Sequence, residues 1–126
     1  MSALVVDTSS WIAWLAGGGS SLVDEALDEG RLHLPVIMAA ELLSGRLSDA
    51  ERTELQDMLS DLPAVGTDPA HWFRVGTLRA GLRAKGLSIS TPDAHVAQCA
   101  METGGLLLTE DRVFEKIATL APLRLA

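Results

Sequence analysis

Short apolar runs alternate along the chain with longer stretches in which apolar residues recur every three or four positions. Continuous apolar runs are typical of strands buried on both faces, and the longer spacing is typical of amphipathic helices. The pattern predicts strands at 3–6, 32–35 and 105–109, and a terminal strand near 123–125. Strands separated by helices indicate a single α/β domain over residues 1–126. Its central, mostly parallel sheet is expected to carry helices on both faces.

Helix boundaries follow from capping side chains at the start and glycines at the end. The predicted helices cover 9–16, Ser21 to Gly30, 36 to Gly45, Ser48 to Leu62, Pro69 to Gly86, Pro92 to Gly104, and 112–119. Two capping boxes and two cap–proline pairs mark the starts: Ser21 with Asp24, Ser48 with Glu51, Asp68 with Pro69, and Thr91 with Pro92.

Composition narrows the class of protein. The 126 residues are 48% hydrophobic, which is enough to bury a core without disulfides. Cys99 is the single cysteine, so an internal disulfide is excluded, and its apolar helix predicts a core position. The N-terminus lacks the basic segment of a signal peptide, and no apolar stretch approaches the ~20 residues of a membrane span. We therefore expect a cytoplasmic protein with no membrane partner.

The net charge of −7 argues at first against a nucleic-acid partner. Segment 69–92, however, contains no acid but four basic residues: Arg74, Arg79, Arg83 and Lys85. It carries +4, which leaves −11 on the remainder of the chain. A solvated helix face is the simpler interpretation. Arg79 and Arg83, one turn apart, and Arg46 are the candidates for contacts with RNA phosphates.

Acidic residues stand near the carboxyl ends of two predicted strands. Asp7 directly follows strand 3–6, and Asp111 lies two residues beyond strand 105–109. Asp93 lies in the first turn of a helix, where the helix dipole favours an anion. Helix capping explains each of the three taken alone. In a parallel sheet, however, the carboxyl ends of the strands share one edge, and ligands bind there.

Glu41 has no such simple explanation. It is the only charged residue between Arg31 and Arg46, in an otherwise apolar helix of sequence VIMAAELL. Such a helix is expected to be largely buried, and a buried carboxylate needs a cation or a proton. No basic residue lies at helical spacing from it within the helix. Glu41 therefore predicts a metal ion, a distant arginine or protonation.

Together the four acids indicate a metal site. Clustered carboxylates repel one another and raise one another's pKa values, and a hard divalent cation removes that conflict. Mg²⁺ and Mn²⁺ accept such oxygen ligands. The chemistry that this site would support is hydrolysis of a phosphodiester by metal-activated water, which requires no side-chain nucleophile.

Four segments resemble the motifs of a known family. They are VVDTSSW from Val5, AAELLSG around Glu41, PDAHVAQCA from Pro92 and LLLTEDRVF from Leu106. In order and spacing they are similar to those of the PIN-domain ribonucleases, and in particular of the VapC-type toxins of bacterial toxin–antitoxin pairs. The ordered set covers essentially the whole chain.

The resemblance implies roles for individual residues. These are metal binding by Asp7, Glu41, Asp93 and Asp111, and shaping of the site by the hydroxyls of Ser9 and Thr109. The resemblance also implies Mg²⁺ or Mn²⁺, an RNA substrate, a homodimer and a cognate antitoxin. A net charge of −7 would suit a basic antitoxin.

Two positions depart from the commonest pattern of that family. Val113 stands where many relatives carry a further acid, which leaves a second metal position less defined. Glu110 could contribute, but its side chain is expected to point away from that of Asp111 and to face water. His95 occupies a position that is more often apolar. All three histidines lack metal-ligand spacing and are expected to be structural or surface residues.

Trp11 and Trp14 lie three residues apart and therefore share a helical face. Core packing is expected for at least one of them. An exposed tryptophan would suit a partner's groove, because aromatic side chains anchor protein interfaces.

Three other classes share parts of this pattern. A response-regulator receiver also binds Mg²⁺ at acidic strand ends, but it requires a lysine at a late strand end, where neither Lys85 nor Lys116 stands. A haloacid-dehalogenase-type phosphatase requires a second aspartate where Ser9 stands. A catalytically silent binding module is the third class, and it gains nothing from crowded carboxylates. The sequence favours a metal-dependent endoribonuclease.

Overall fold

The chain forms a four-stranded parallel sheet, in which the strands at Ala64–Val65, Leu32–Pro35, Leu4–Val6 and Leu106–Leu108 lie side by side in that order. The computed structural model describes residues 2–126. The strands are β1 (Leu4–Val6), β2 (Leu32–Pro35), β3 (Ala64–Val65) and β4 (Leu106–Leu108). The helices are α1 (Thr8–Leu15), α2 (Ser21–Asp28), α3 (Val36–Leu43), α4 (Asp49–Ser60), α5 (Pro69–Ala84), α6 (Thr91–Thr103) and α7 (Val113–Leu120). The predicted α/β class is confirmed.

The register of the central strands places Asp7 and Thr109 side by side at one edge of the sheet. All residues of β1 are buried, as expected of a strand with neighbours on both sides. Val6 at its end pairs with Leu108 at the end of β4. Because the strands are parallel, Asp7 and Thr109 follow these partners at the same edge.

Helix α6 is the most deeply buried helix beside the sheet. It contacts β1, β2 and β4, and also α5 and α7. Small buried residues, Ala94, Ala97 and Ala100, permit this close approach. Cys99 is fully buried, which confirms its predicted place in the core. A positive φ at Gly104 ends the helix in the left-handed conformation that favours glycine.

The strands differ from the prediction in two places. The sequence pattern missed β3, a strand of only two residues directly after Pro63. The predicted terminal strand is reduced to a single parallel bridge between Leu107 and Leu125. The last residues therefore contact the outer side of β4 through two backbone hydrogen bonds to Leu107.

Two of the predicted helix starts are also displaced. The capping box at Ser48 and Glu51 and the cap at Asp68 are confirmed. For α2 and α6 the residue before the predicted one caps the helix. Ser20 accepts a hydrogen bond from Leu22 N, and Ser90 accepts one from Asp93 N. Within residues 2–126, no helix is long and apolar enough to cross a membrane.

Candidate active site

The structure brings the four predicted acids to one cavity at the carboxyl edge of the sheet. Asp7, Glu41, Asp93 and Asp111 all line this cavity, whose volume is about 310 Å³. They come from the end of β1, the middle of α3, the first turn of α6 and the loop after β4. The other lining residues are Thr8, Ser9, Ile12, Met38, Pro92 and Val96.

Asp7 is buried and held by three hydrogen bonds. Its Oδ1 accepts from Ser9 Oγ at 2.8 Å and from Ser10 N at 3.2 Å, so Asp7 also caps α1. Its Oδ2 accepts from Thr109 Oγ1 at 2.5 Å. A carboxylate offers about four lone-pair positions, so these contacts fix its orientation and leave one position on Oδ2.

Thr109 links the first acid to the last. Its hydroxyl donates to Asp7 and accepts from Asp111 N at 2.9 Å. The side chain of Asp111 in turn accepts from Val113 N at 3.0 Å, in a local turn that precedes α7. Asp111 is otherwise exposed. Glu110 is also exposed but does not line the cavity.

Glu41 differs from the expectation of a largely buried residue. Met38 and Leu42 on α3 are buried, whereas Glu41 is only half-buried beside the cavity. Within residues 2–126, no arginine or lysine forms a salt bridge with it, so of the three alternatives for Glu41 the distant arginine is not the one observed. Thr8 Oγ1 donates a hydrogen bond to Glu41 Oε2 instead. Three successive hydroxyl residues follow Asp7, and their order alone did not identify this one.

The pKa of Asp93 is raised by its burial and by the negative charges that surround it. Burial raises its pKa, and the carboxylates of Asp111, Asp7 and Glu41 raise it further, against the Ser90 hydrogen bond that lowers it. Ionisation of Asp93 is therefore less favourable in the folded protein than in water when no cation is nearby. The site carries more negative charge than its own hydrogen bonds balance.

The donors suit a hard cation. All are carboxylate or hydroxyl oxygens, and Mg²⁺ binds through one or two carboxylates while keeping several waters. Among the described residues, the one set of three His, Cys, Asp or Glu ligand atoms within 4.8 Å of one another is His71, His95 and Cys99. The four acids are thus more widely spaced than direct ligands of a single ion.

The basic and aromatic candidates lie outside the cavity. Arg46 and Arg83 are exposed, and Arg79 Nε donates to Ile89 O at 3.0 Å, which anchors the loop before α6. Trp11 is fully buried, which confirms the core packing expected of at least one tryptophan and leaves Trp11 out of contact with any partner. Trp14 is half-buried and donates to Asp24 at 3.0 Å.

A second groove of about 430 Å³ lies beside Trp14. Its lining is mostly apolar, with two acids: Trp14, Leu15, Leu47, Glu51, Glu54, Leu55 and Met58. Leu15 is 45% exposed and the neighbouring Ile12 is 57% exposed. The sequence did not reveal this groove, because its residues come from α1, α4 and the loop before α4.

The parallel sheet and the four acids at its carboxyl edge define the class of protein, an α/β domain with an acidic site. Comparisons with known proteins define the family to which the chain belongs. The family model described as the PIN domain matches residues 4–120. A VapC ribonuclease from Mycobacterium bovis, Mb1587, and ribonuclease VapC11 from Mycobacterium tuberculosis are each 30% identical to this chain over 130 residues. Each alignment covers 98% of this chain and 97% of the relative. The chain therefore belongs to the PIN-domain family and, within it, to the VapC ribonucleases.

Solved structures agree with this fold. The DNA-bound VapBC complex of Salmonella typhimurium contains a chain that matches with a TM-score of 0.80 at 20% identity, covering 100% of this chain and 98% of that one. The VapBC2 complex of Rickettsia felis, bound to a promoter DNA fragment, matches with a TM-score of 0.75 at 21% identity, with the same coverage.

Proposed function

We propose that this chain is a metal-dependent endoribonuclease and the toxin of a type II toxin–antitoxin pair. The observation that carries the proposal is the convergence of Asp7, Glu41, Asp93 and Asp111 on one cavity. The likeness to VapC ribonucleases over nearly the whole chain supports RNA as the substrate and hydrolysis of its phosphodiester bonds as the reaction.

In this proposal the four acids hold Mg²⁺ or Mn²⁺, with one or two of them as direct ligands and the others acting through coordinated water, as their wide spacing requires. A bound ion would supply Lewis acidity and lower the pKa of a coordinated water. The residues supply orientation, because Ser9 and Thr109 fix the carboxylate of Asp7 and Thr8 fixes that of Glu41. Burial and its acidic neighbours raise the pKa of Asp93, and a nearby cation would favour its ionised form.

Arg46 and Arg83 are proposed to contact phosphates of the RNA backbone. Both are exposed, and the +4 segment supplies local positive charge that the rest of the chain lacks. Arg79 belongs to the same segment, with its Nε already engaged and its terminal nitrogens left for a phosphate.

The groove beside Trp14 is our proposed antitoxin site. It offers an apolar floor and the carboxylates of Glu51 and Glu54, a combination that suits an amphipathic helix with basic residues. A homodimer is also part of the proposal. Phe73 on α5 is 74% exposed and is the candidate anchor for the homodimer.

An RNA-cleavage assay with Asp93→Asn tests the catalytic proposal. Purified protein free of antitoxin is incubated with total RNA in Mg²⁺, in Mn²⁺ and in EDTA, and new 5′ ends are mapped. We expect discrete ends from the wild type only with metal, and a loss of at least about a hundredfold in the variant. Asp28→Asn, an exposed acid at the end of α2, is the matched control. Equal cleavage by the wild type and Asp93→Asn would refute the mechanism.

A further inference from the structure

A chain of buried polar groups lies behind the acidic cavity. His71 on α5 and His95 on α6 are almost completely buried, which is unusual for histidine. His71 Nε2 lies 2.7 Å from His95 Nδ1, a hydrogen-bonding distance. His95 Nε2 lies 3.4 Å from the backbone nitrogen of Ile37, in the first turn of α3. At the other end, His71 Nδ1 lies 3.0 Å from Glu102 Oε1.

The direction of each hydrogen bond in this chain is determined by its ends. Ile37 N–H can only donate, so His95 Nε2 must carry a lone pair and its proton must be on Nδ1. His95 Nδ1–H then donates to His71 Nε2, which places the proton of His71 on Nδ1. That proton lies close to the carboxylate of Glu102, whose Oε1 is 3.0 Å from His71 Nδ1 but not in line with its N–H, so the contact is electrostatic and not an aligned hydrogen bond. Both imidazoles are neutral in this arrangement.

The outer end of the chain is held at the surface. Glu102 accepts from Arg74 Nε at 2.7 Å and from Gln98 Nε2 at 3.2 Å. Burial raises the pKa of Glu102, but the hydrogen bonds from Arg74 and Gln98 and the nearby His71 lower it below its ordinary value on balance. A negative charge at this position favours the proton on His71 Nδ1 and, through His71, on His95 Nδ1, which is the assignment that the long contact with Ile37 N–H also favours.

The inner end of the chain replaces a missing helix cap. The residue before α3 is Pro35, and no side chain within the described residues caps the helix in the usual way. His95, 58 positions further along, accepts from the Ile37 N–H instead. Helix α3 carries Glu41, and Asp93 lies two residues before His95 on α6. The contact therefore joins the two helices that present these acids.

We propose that Glu102, His71 and His95 form a relay of positioning residues that locks His95 as a hydrogen-bond acceptor and thereby holds Glu41 in register with Asp93. This role rests on the proposed metal-dependent function. None of the three relay residues lines the acidic cavity, so the relay acts through the two helices.

The same cluster contains Cys99, and a metal ion is the competing occupant. Two observations favour the relay. Cys99 Sγ lies 3.8 Å from both ring nitrogens of His95, so it does not face the lone pair of either one alone. The ring of Trp72 stacks on His95 with an interplanar angle of 7° and a centroid distance of 4.4 Å, which restrains the imidazole from turning.

The first test reads the tautomers directly. Long-range ¹H–¹⁵N spectra of the full chain near pH 7 are expected to show both histidines neutral and protonated on Nδ1. In Glu102→Met, which changes a surface residue, both should become tautomer mixtures, whereas Glu25→Met, at an exposed acid on α2, should leave them unchanged. A proton on Nε2 of His95 in the wild type would overturn the relay. So would a Co²⁺–thiolate absorption band that Cys99→Ser abolishes.

The second test measures Mn²⁺ affinity of the acidic cavity by electron paramagnetic resonance. His95→Leu, which removes the acceptor, and Glu102→Met are expected to weaken Mn²⁺ binding by roughly tenfold. His95→Gln offers an oxygen near the position of Nε2 and should restore affinity to within about threefold of the wild type. His33→Gln, at a half-buried histidine on β2, is the control.

The two proposals fail differently. If the wild type binds Mn²⁺ and cleaves RNA, and both His95→Leu and Glu102→Met bind Mn²⁺ equally well, the positioning role is refuted and the proposed function stands. If the folded wild type neither binds Mn²⁺ nor cleaves RNA, the proposed function fails and the positioning role fails with it.

Discussion

The hydroxyl of Thr109 is the smallest group on which the geometry of the site depends. It donates to Asp7 and accepts from the backbone of Asp111, so one oxygen atom spaces two acids that are 104 positions apart in the chain (111 − 7). Valine has nearly the same shape but can do neither. Such outer contacts orient a metal ligand and usually matter almost as much as the ligand itself.

Thr109→Val is therefore expected to weaken Mn²⁺ binding by roughly tenfold while the fold remains intact. Isothermal titration with Mn²⁺, alongside a far-ultraviolet circular dichroism spectrum, measures both. Thr119→Val, at an exposed threonine on α7 whose hydroxyl bonds locally to Lys116 O, should bind Mn²⁺ like the wild type. Unchanged affinity in Thr109→Val would show that the hydroxyl does not organise the site.

Asp93 should cost the metal-free protein stability at neutral pH. The pKa of Asp93 is raised in the folded state. Its contribution to the free energy of unfolding is therefore favourable below the ordinary pKa of 3.8, and it is lost as pH rises through the raised pKa. We expect Asp93→Asn in EDTA to have a higher melting temperature than the wild type at pH 7, with the difference shrinking toward pH 4. A lower melting temperature at pH 7 would contradict this account.

At the scale of single residues, the sequence predicted which acids line the cavity but not the hydrogen bonds that orient them. Asp7, Asp93 and Asp111 follow from strand ends and a helix start, which the apolar pattern locates. The bond from Thr8 to Glu41 depends on which face of α1 turns toward α3. That orientation is a tertiary property, and three adjacent hydroxyls give no sign of it.

Among the elements, the turn after β3 has the least freedom. Gly66 has φ +97°, and a Cβ built there would lie 2.5 Å from His95 Cε1. The same residue accepts a hydrogen bond from Trp72 Nε1 at 2.9 Å. The backbone of this turn therefore packs directly against the buried side chains of His95 and His71.

Gly66→Ala is expected to destabilise the fold by about 2 kcal/mol or more, because the residue combines a left-handed conformation with a steric clash. Gly76→Ala, in the exposed interior of α5 with nothing within 4 Å of the new Cβ, should instead stabilise it by about 0.5–1 kcal/mol. Urea denaturation of the two variants measures the contrast. A similar small change in both would show that the turn can yield.

The elements themselves were largely predictable, and the exceptions have physical causes. The positions and order of α1 to α7 follow from apolar spacing, capping residues and glycines. Strand β3 was missed because two residues, one of them exposed, make no pattern. Ser20 and Ser90 were missed because a second hydroxyl residue stands directly after each, and the backbone conformation decides which one caps.

At the scale of the whole molecule, we expect the free energy of unfolding to begin to fall at a pH above that at which the carboxylates become protonated. Burial and the neighbouring His71 lower the pKa of His95 from 6.5 to about 4. For a base with a lowered folded-state pKa, the stabilising contribution is complete above 6.5 and declines as pH falls from 6.5 toward about 4. Across that window the loss is on the order of 3 kcal/mol.

His95→Gln removes this titration and should flatten the dependence of stability on pH. The free energy of unfolding in urea, compared at pH 7.0, 5.5 and 4.5 for the wild type and the variant, is the measurement. The wild type should lose more stability than His95→Gln between pH 7.0 and 4.5. Parallel curves would mean that His95 has no lowered pKa in the folded protein.

The pairing of Val6 with Leu108 has a consequence for the timing of synthesis. The first acid of the site is among the earliest residues to leave the ribosome, but its neighbours Thr109 and Asp111 come more than a hundred residues later. A nascent chain that stops before β4 lacks the strand that flanks β1 and cannot close the acidic edge. If the site cleaves RNA as proposed, an unfinished chain on its own messenger is harmless, and release and completion of the sheet switch it on.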